Sequence, residues 1–90
     1  MQIQDVDRMA ENGDLEGLVR SLQEENADVR RRAAVQLGFL ADGRAVEPLG
    51  RVAEADPDTG VREAAQTAHE RLIQVIQASK AASESYVCRE

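Results

Sequence analysis

The chain has 90 residues and a mass of 9.8 kDa, which is enough for one small domain and too little for two. It carries a net charge of −6 and contains one cysteine, one phenylalanine, one tyrosine and no tryptophan. These figures exclude an aromatic core, a disulfide scaffold and a large ligand cavity, and the acidic charge argues against general binding of nucleic acid.

The first predicted element is a short helix over residues 4–12, with Val6, Met9 and Ala10 on one side. Asn12 and Gly13 end it, since both residues favour turns. We expect this helix to cap the N-terminal end of the domain.

Residues 14–41 are predicted to form a pair of helices. Asp14 is the expected N-cap of the first helix, which places four apolar residues on one face: Leu15, Leu18, Val19 and Leu22. The second helix, from about residue 28 to residue 40, buries Val29, Ala33, Leu37 and Leu40. Gly38 and the following segment 41–43 are expected to end it.

Residues 44–79 repeat this plan. A helix over about 45–55 has Pro48 in its opening turn, and the segment 56–60 is the strongest loop signal in the chain. Asp58 or Thr59 caps the last helix, which is expected to end near residue 79. Its predicted buried residues are Val61, Ala65, Ala68, Leu72 and Ile76.

The two helix pairs are related by an internal duplication. Val29-Arg30 recurs 32 residues later as Val61-Arg62, and three upstream leucines are each echoed by an apolar residue 31 positions on. No segment alternates apolar and polar residues with a period of two, so no strand is predicted. The prediction is an all-α protein with one domain over residues 1–81 and a flexible tail over 82–90.

Residues 14–78 resemble HEAT repeats of the phycobilisome-lyase-like subclass, and the resemblance is more specific in the first half than in the second repeat. The residues that carry this resemblance are Asp28, Val29, Arg30, Ala33, Ala34, Leu37, Gly38, Leu40, Asp42, Arg44, Ala45, Val46, Glu47, Pro48 and Leu49. The resemblance implies an α-α superhelix, a short solenoid of two stacked helix pairs in which the second helix of each pair lines a concave surface. In the second repeat, His69 and Glu70 replace the expected Leu and Gly, which is typical of the end of a repeat array.

The resemblance also implies a structural ladder in which turn acids meet the arginines of the Val-Arg pairs. Glu24 and Asp56 match the acids, and Arg30 and Arg62 match the arginines. An arginine fork suits this role because it holds a carboxylate and free turn carbonyls together.

No motif in the sequence predicts catalysis or a cofactor. His69 is the only histidine and cannot form a metal site alone, and no glycine-rich phosphate loop occurs. We therefore expect neither an enzyme nor a metal or cofactor site.

The predicted function is a non-catalytic adaptor that presents its concave helical surface to another protein. The residues predicted to contact the partner are Arg31, Val35, Phe39, Glu63, Thr67 and Glu70. The alternative is an accessory factor related to bilin lyases that assists pigment attachment to a carrier protein. DNA binding is a third possibility, which the net charge of −6 disfavours.

The last helix carries more apolar surface than one neighbouring helix covers. Leu72, Ile73 and Ile76 are therefore predicted either to contact a second copy or another protein, or to be covered by the tail. The N-terminus lacks the features of a signal peptide, and no apolar run is long enough to span a membrane, so a cytoplasmic location is expected.

The basic residues show a strong bias, because Lys80 is the only lysine among eleven. A GC-rich genome explains this bias, and so does adaptation to a salty cytoplasm. The role of Cys88 is left open.

Overall fold

The computed structural model describes the backbone of residues 2–88 and the side chains of residues 2–78. This part of the chain is helical and contains no strand, so the all-α prediction is confirmed. The helices are α1 (Ile3–Glu11), α2 (Leu15–Ser21), α3 (Ala27–Leu40), α4 (Val46–Ala55) and α5 (Thr59–Cys88), with a 3-10 turn (Gly43–Ala45) before α4.

Short polar side chains fix where α2, α3, α5 and the 3-10 turn begin. In each case a side-chain oxygen accepts a hydrogen bond from a backbone N–H of the first turn, which would otherwise lack a partner. The caps are Asp14 for α2, Asn26 for α3, Asp42 for the 3-10 turn and Asp58 for α5. Asp14 was predicted from the sequence, and Asp58 rather than Thr59 proves to be the cap of the last helix.

The helices form two layers. α1, α3 and α5 lie side by side in one layer, while α2 packs on α1 and α3 and α4 packs on α5. Each α2–α3 or α4–α5 pair is one repeat, and its second helix contributes to the three-helix layer. α1 extends this layer at the N-terminal end.

The core lies between the layers and is built from small and medium-sized side chains. Four of its largest members are fully buried: Leu18, Leu37, Leu49 and Leu72. Alanines fill much of the rest, which allows the helix axes to approach closely. Two residues that the sequence predicts to be buried are not: Leu40 is half-buried, and Ile76 is 40% exposed.

Gly38 lies within α3 and does not end the helix as the sequence predicts. The helix ends at Leu40, and its C-cap is Ala41, whose φ of 54° is left-handed and which belongs to the segment 41–43 predicted to end the helix. Gly38 is needed elsewhere, because a Cβ atom at this position would lie 2.9 Å from the Cβ atom of Ala68 on α5. The glycine therefore permits the close contact between the two repeats.

α5 is longer than its apolar pattern predicts, since it continues to Cys88 instead of ending near residue 79. No glycine or proline follows Gly60, so neither of the two residue types that most disfavour a helix interrupts it. The flexible tail over 82–90 stays a prediction, because the side chains beyond residue 78 lie outside the described part. Within that part, no helix combines the length and the apolar character needed to cross a membrane.

Candidate partner-binding groove

A groove of about 320 Å³ runs between α3 and α5 on the outer side of the three-helix layer. We call it the α3/α5 groove. Its lining is mostly apolar and consists of Val35, Gly38, Phe39, Glu63, Ala64, Thr67, Ala68 and Arg71.

The groove exists because its floor is made of small residues. Gly38 and Ala68 touch at the point where the two helices come closest, and Ala64 lies one turn before Ala68. Val35 and Phe39, one turn apart on α3, form one wall. Small residues between larger neighbours leave the space that a partner side chain can fill.

Phe39 is the most prominent apolar side chain of the groove, with 64% of its surface exposed. The guanidinium carbon of Arg71 lies 5.1 Å from the centroid of the Phe39 ring. This is the geometry of a cation–π contact, which holds the arginine beside the ring at the rim of the groove.

Two opposite charges border the groove along α5. Glu63 and Arg71 are both exposed and lie eight residues apart, with Thr67 midway between them. Neither residue forms an ion pair with another of the side chains described at residues 2–78. Both charges are therefore available to a bound molecule.

The structure brings together four of the six residues predicted to contact a partner: Val35, Phe39, Glu63 and Thr67. The other two do not line the groove. Arg31 makes a long contact of 3.4 Å with the Asp28 carboxylate, and Glu70 is exposed elsewhere on α5.

Sequence reasoning missed Arg71 and the residues of the groove floor. Arg71 follows Thr67 by four positions and Glu63 by eight, so helical spacing alone could have placed all three in one row. No comparable sequence pattern indicates the residues of the groove floor, because the floor depends on the tertiary contact between Gly38 and Ala68.

A second groove of about 410 Å³ lies on the other side of Phe39, between α1 and α3. It is more polar, because Arg32 donates to both carboxylate oxygens of Asp7 at 2.8 and 3.1 Å and Gln36 donates to the same residue at 2.9 Å. The hydrogen bond from Arg32 lowers the pKa of the Asp7 carboxyl, with a smaller contribution from Gln36. Phe39 is thus a ridge between two grooves on one face.

The predicted ladder residues lie in the turns before α3 and α5 and in the first turns of these helices, and the Arg30–Asp56 pair joins the two repeats. Arg30 donates to the Asp56 carboxylate and, through Nη1, to the carbonyl oxygens of Glu24 and Glu25 at 2.7 and 2.8 Å. Arg62 donates to the Asp56 carbonyl at 2.7 Å. Glu24 therefore takes part through its backbone carbonyl, and Asp56 through both its carboxylate and its backbone carbonyl.

Leu72, Ile73 and Ile76 do not form a common contact surface. Leu72 is fully buried in the core, Ile73 is half-buried, and Ile76 is exposed. Leu72 is thus unavailable to a partner, since its position on α5 faces the other helices of its own chain.

The second repeat is polar at three positions where the first repeat is buried and apolar. Ala34, Leu37 and Gly38 of the first repeat are buried. The equivalent positions of the second repeat, 32 residues later, are Gln66, His69 and Glu70. The contact that joins the first repeat to the second is therefore not repeated at the other side of α5.

The described side chains contain no group of three or more His, Cys, Asp or Glu residues placed to hold a metal ion. In a comparison with protein families, residues 8–82 match the family described as HEAT repeats, and the match spans both helix pairs. No curated protein and no solved structure matches the chain.

Proposed function

Because the chain belongs to the HEAT-repeat family, whose members generally mediate protein–protein interaction, we propose that it is a non-catalytic adaptor that binds a partner protein at the α3/α5 groove. The adaptor would act by presenting a preformed surface, so that binding requires little rearrangement of its own helices.

The exposure of Phe39 is the observation that carries this proposal. A phenylalanine that is 64% exposed leaves a large apolar surface in water, where it lies next to a groove with an apolar floor. Burial of such a side chain against a partner contributes about 1.5–3 kcal/mol. Aromatic side chains and arginines are also enriched in interface centres, and Phe39 and Arg71 are in contact here.

The position of the groove in the repeat supports the same surface. The resemblance described above implies that the second helix of each pair lines the concave side of a HEAT array. α3 and α5 are these second helices, and the groove lies between them. A partner seated there would contact both repeats.

A comparison of retained proteins tests this proposal. The full chain, its Phe39→Ala variant and its Ile76→Ala variant are immobilised and exposed to extracts, and the retained proteins are identified and quantified. Ile76 is a matched control because it is an exposed apolar residue outside the groove.

We expect wild type and Ile76→Ala to retain the same protein and Phe39→Ala to lose it by at least about tenfold, which corresponds to about 1.4 kcal/mol. A Thr67→Trp variant, which fills the groove without altering the core, should lose the same protein. Equal retention by all four chains would show that the groove is the wrong surface.

The bilin-related accessory role is the second function that the sequence predicts, through the resemblance to the phycobilisome-lyase-like subclass. An absorbance titration of the chain with a free bilin separates the two functions. A saturable spectral shift that Phe39→Ala abolishes would favour the pigment role, whereas the adaptor proposal expects no shift.

A further inference from the structure

We infer that a second copy of this chain packs on the α3/α5 groove, with the two α5 helices antiparallel and crossing at Thr67. Three features support this arrangement: the order of charges along α5, the small residues beside them and the exposed apolar wall on α3.

The charge order on α5 is self-complementary. Glu63, Thr67 and Arg71 follow one another at intervals of four residues, so they form one row on the exposed side of the helix. A twofold axis through Thr67 places Glu63 of each copy opposite Arg71 of the other. The twofold symmetry thus forms two ion pairs, each between Glu63 of one copy and Arg71 of the other. Neither side chain has an ion-pair partner among the described residues of its own chain.

This symmetry selects a second copy rather than an unrelated helix. In a twofold interface, residue i meets residue j and residue j meets residue i, so one surface must complement itself. The row on α5 meets this condition because its opposite charges lie at equal distances from Thr67, about 6 Å along the axis on each side. A parallel arrangement would instead oppose like charges.

The side chains around this row allow two helices to approach. Ala64 and Ala68 lie beside Thr67, and the absence of larger side chains there leaves room for a second helix at the groove. Val35 and Phe39 rise on the α3 side, where the α5 helix of the other copy would cover them. The ring of Phe39 is already in contact with Arg71, which places apolar contact next to each ion pair.

The opposing force is the net charge of −6 on each copy, which repels a second one. The dimer is therefore weak and forms only at high protein concentration.

Sedimentation equilibrium of the full chain from about 10 μM to about 1 mM tests the inference. We expect the mean mass to rise from 9.8 kDa towards twice that value. Glu63→Arg and Arg71→Glu should each raise the dissociation constant at least about tenfold, because each replaces two attractive contacts with two repulsive ones.

The decisive sample is an equimolar mixture of the two variants. In the mixed dimer, both arginines of one chain face both glutamates of the other, so the mixture should dimerise although neither variant does so alone. The double variant Glu63→Arg with Arg71→Glu should likewise recover most of the association. Glu54→Arg and Arg20→Glu make the same charge changes in the other helix layer and should leave the dissociation constant within about threefold.

A chain that remains monomeric at 1 mM overturns the inference. A dimer that Glu63→Arg and Arg71→Glu leave unchanged also overturns it, since that dimer uses another surface. Neither result affects the proposed function, whose test is the retention of a different protein. Conversely, a partner that binds independently of Phe39 would refute the proposed function and leave the charge-reversal result standing.

Discussion

Arg30 of the first repeat holds Asp56 of the second in a bidentate ion pair, with Nε donating to Oδ2 at 2.8 Å and Nη2 to Oδ1 at 3.2 Å. The side chains are only 13% and 6% exposed. Such a pair fixes the orientation of both partners, since the planar guanidinium matches the two carboxylate oxygens. It is therefore the main polar connection between the repeats.

Replacing Asp56 with Ala should destabilise the fold by about 2–3 kcal/mol, because it leaves the largely buried guanidinium of Arg30 without its carboxylate. The change also removes the hydrogen bond that Asp56 Oδ1 accepts from the backbone N–H of Asp58. Urea denaturation measures the loss. Arg51→Ala is the control: Arg51 pairs with Glu47, both side chains are exposed, and the expected loss is below about 0.5 kcal/mol. Equal losses in the two variants would contradict the assigned role of the buried pair.

Two glycine-to-alanine changes should alter stability in opposite directions. A Cβ atom at Gly38 would lie 2.9 Å from the Cβ and 3.1 Å from the Cα atom of Ala68, so α3 and α5 would have to separate. We expect Gly38→Ala to destabilise the chain by about 1–3 kcal/mol despite the better helix propensity of alanine.

Gly50→Ala is the matched change within α4. The new Cβ atom would lie 3.4 Å from the His69 ring, which is close to ordinary contact. The expected effect is a gain of about 0.5–1 kcal/mol in unfolding free energy, measured by thermal and urea unfolding. The close-approach explanation fails if the two variants change stability in the same direction.

The two apolar residues Leu72 and Ile76 should respond very differently to truncation. Leu72 is fully buried, so Leu72→Ala opens a cavity and should reduce the unfolding free energy by about 2–5 kcal/mol. Ile76 is 40% exposed, and Ile76→Ala should cost below about 1 kcal/mol. Equilibrium unfolding in urea compares them, and a larger loss for Ile76→Ala would refute the placement of these residues on α5.

The Asp7 carboxyl should titrate below the ordinary range for aspartate, because Arg32 hydrogen-bonds to its charged form and lowers its pKa. Because the pKa of Asp7 is lower in the folded protein than in the unfolded chain, ionised Asp7 stabilises the fold at pH values above its unfolded-state pKa. This stabilisation is lost as the pH falls through the folded-state pKa. A carboxyl-detected NMR titration checks this. Arg32→Gln should raise the Asp7 midpoint, whereas Arg31→Gln, which changes a neighbouring arginine that pairs with Asp28, should not. An unchanged midpoint in Arg32→Gln would show that another group sets the pKa.

Four of the predicted partner residues lie at one groove. They are spaced four residues apart on α3 and on α5, and the internal duplication places these two helices in equivalent positions of the two repeats. Val35 and Phe39 share one turn-to-turn row on α3, and Glu63 and Thr67 share another on α5. Arg31 and Glu70 do not line this groove, so their contact with a partner stays a prediction.

The sequence by itself determined the helical class, the two repeats and most of the helix starts. These features depend on local physics: the 3.6-residue period of apolar side chains, the capping oxygens of Asp14 and Asp58, and the turn-forming segment 56–60. They require only information that lies within a few residues along the chain.

Only the tertiary structure decided how far along each helix the apolar face is buried and where the groove lies. The sequence predicts that Gly38 ends a helix, whereas in the structure it allows close contact with Ala68, 30 positions later. The sequence also predicts that both Leu72 and Ile76 are buried, but only Leu72 is. Arg30 likewise binds an acid 26 residues away. Such relations depend on the distance and crossing of two helices, which the packing of all the side chains sets together and no local pattern encodes.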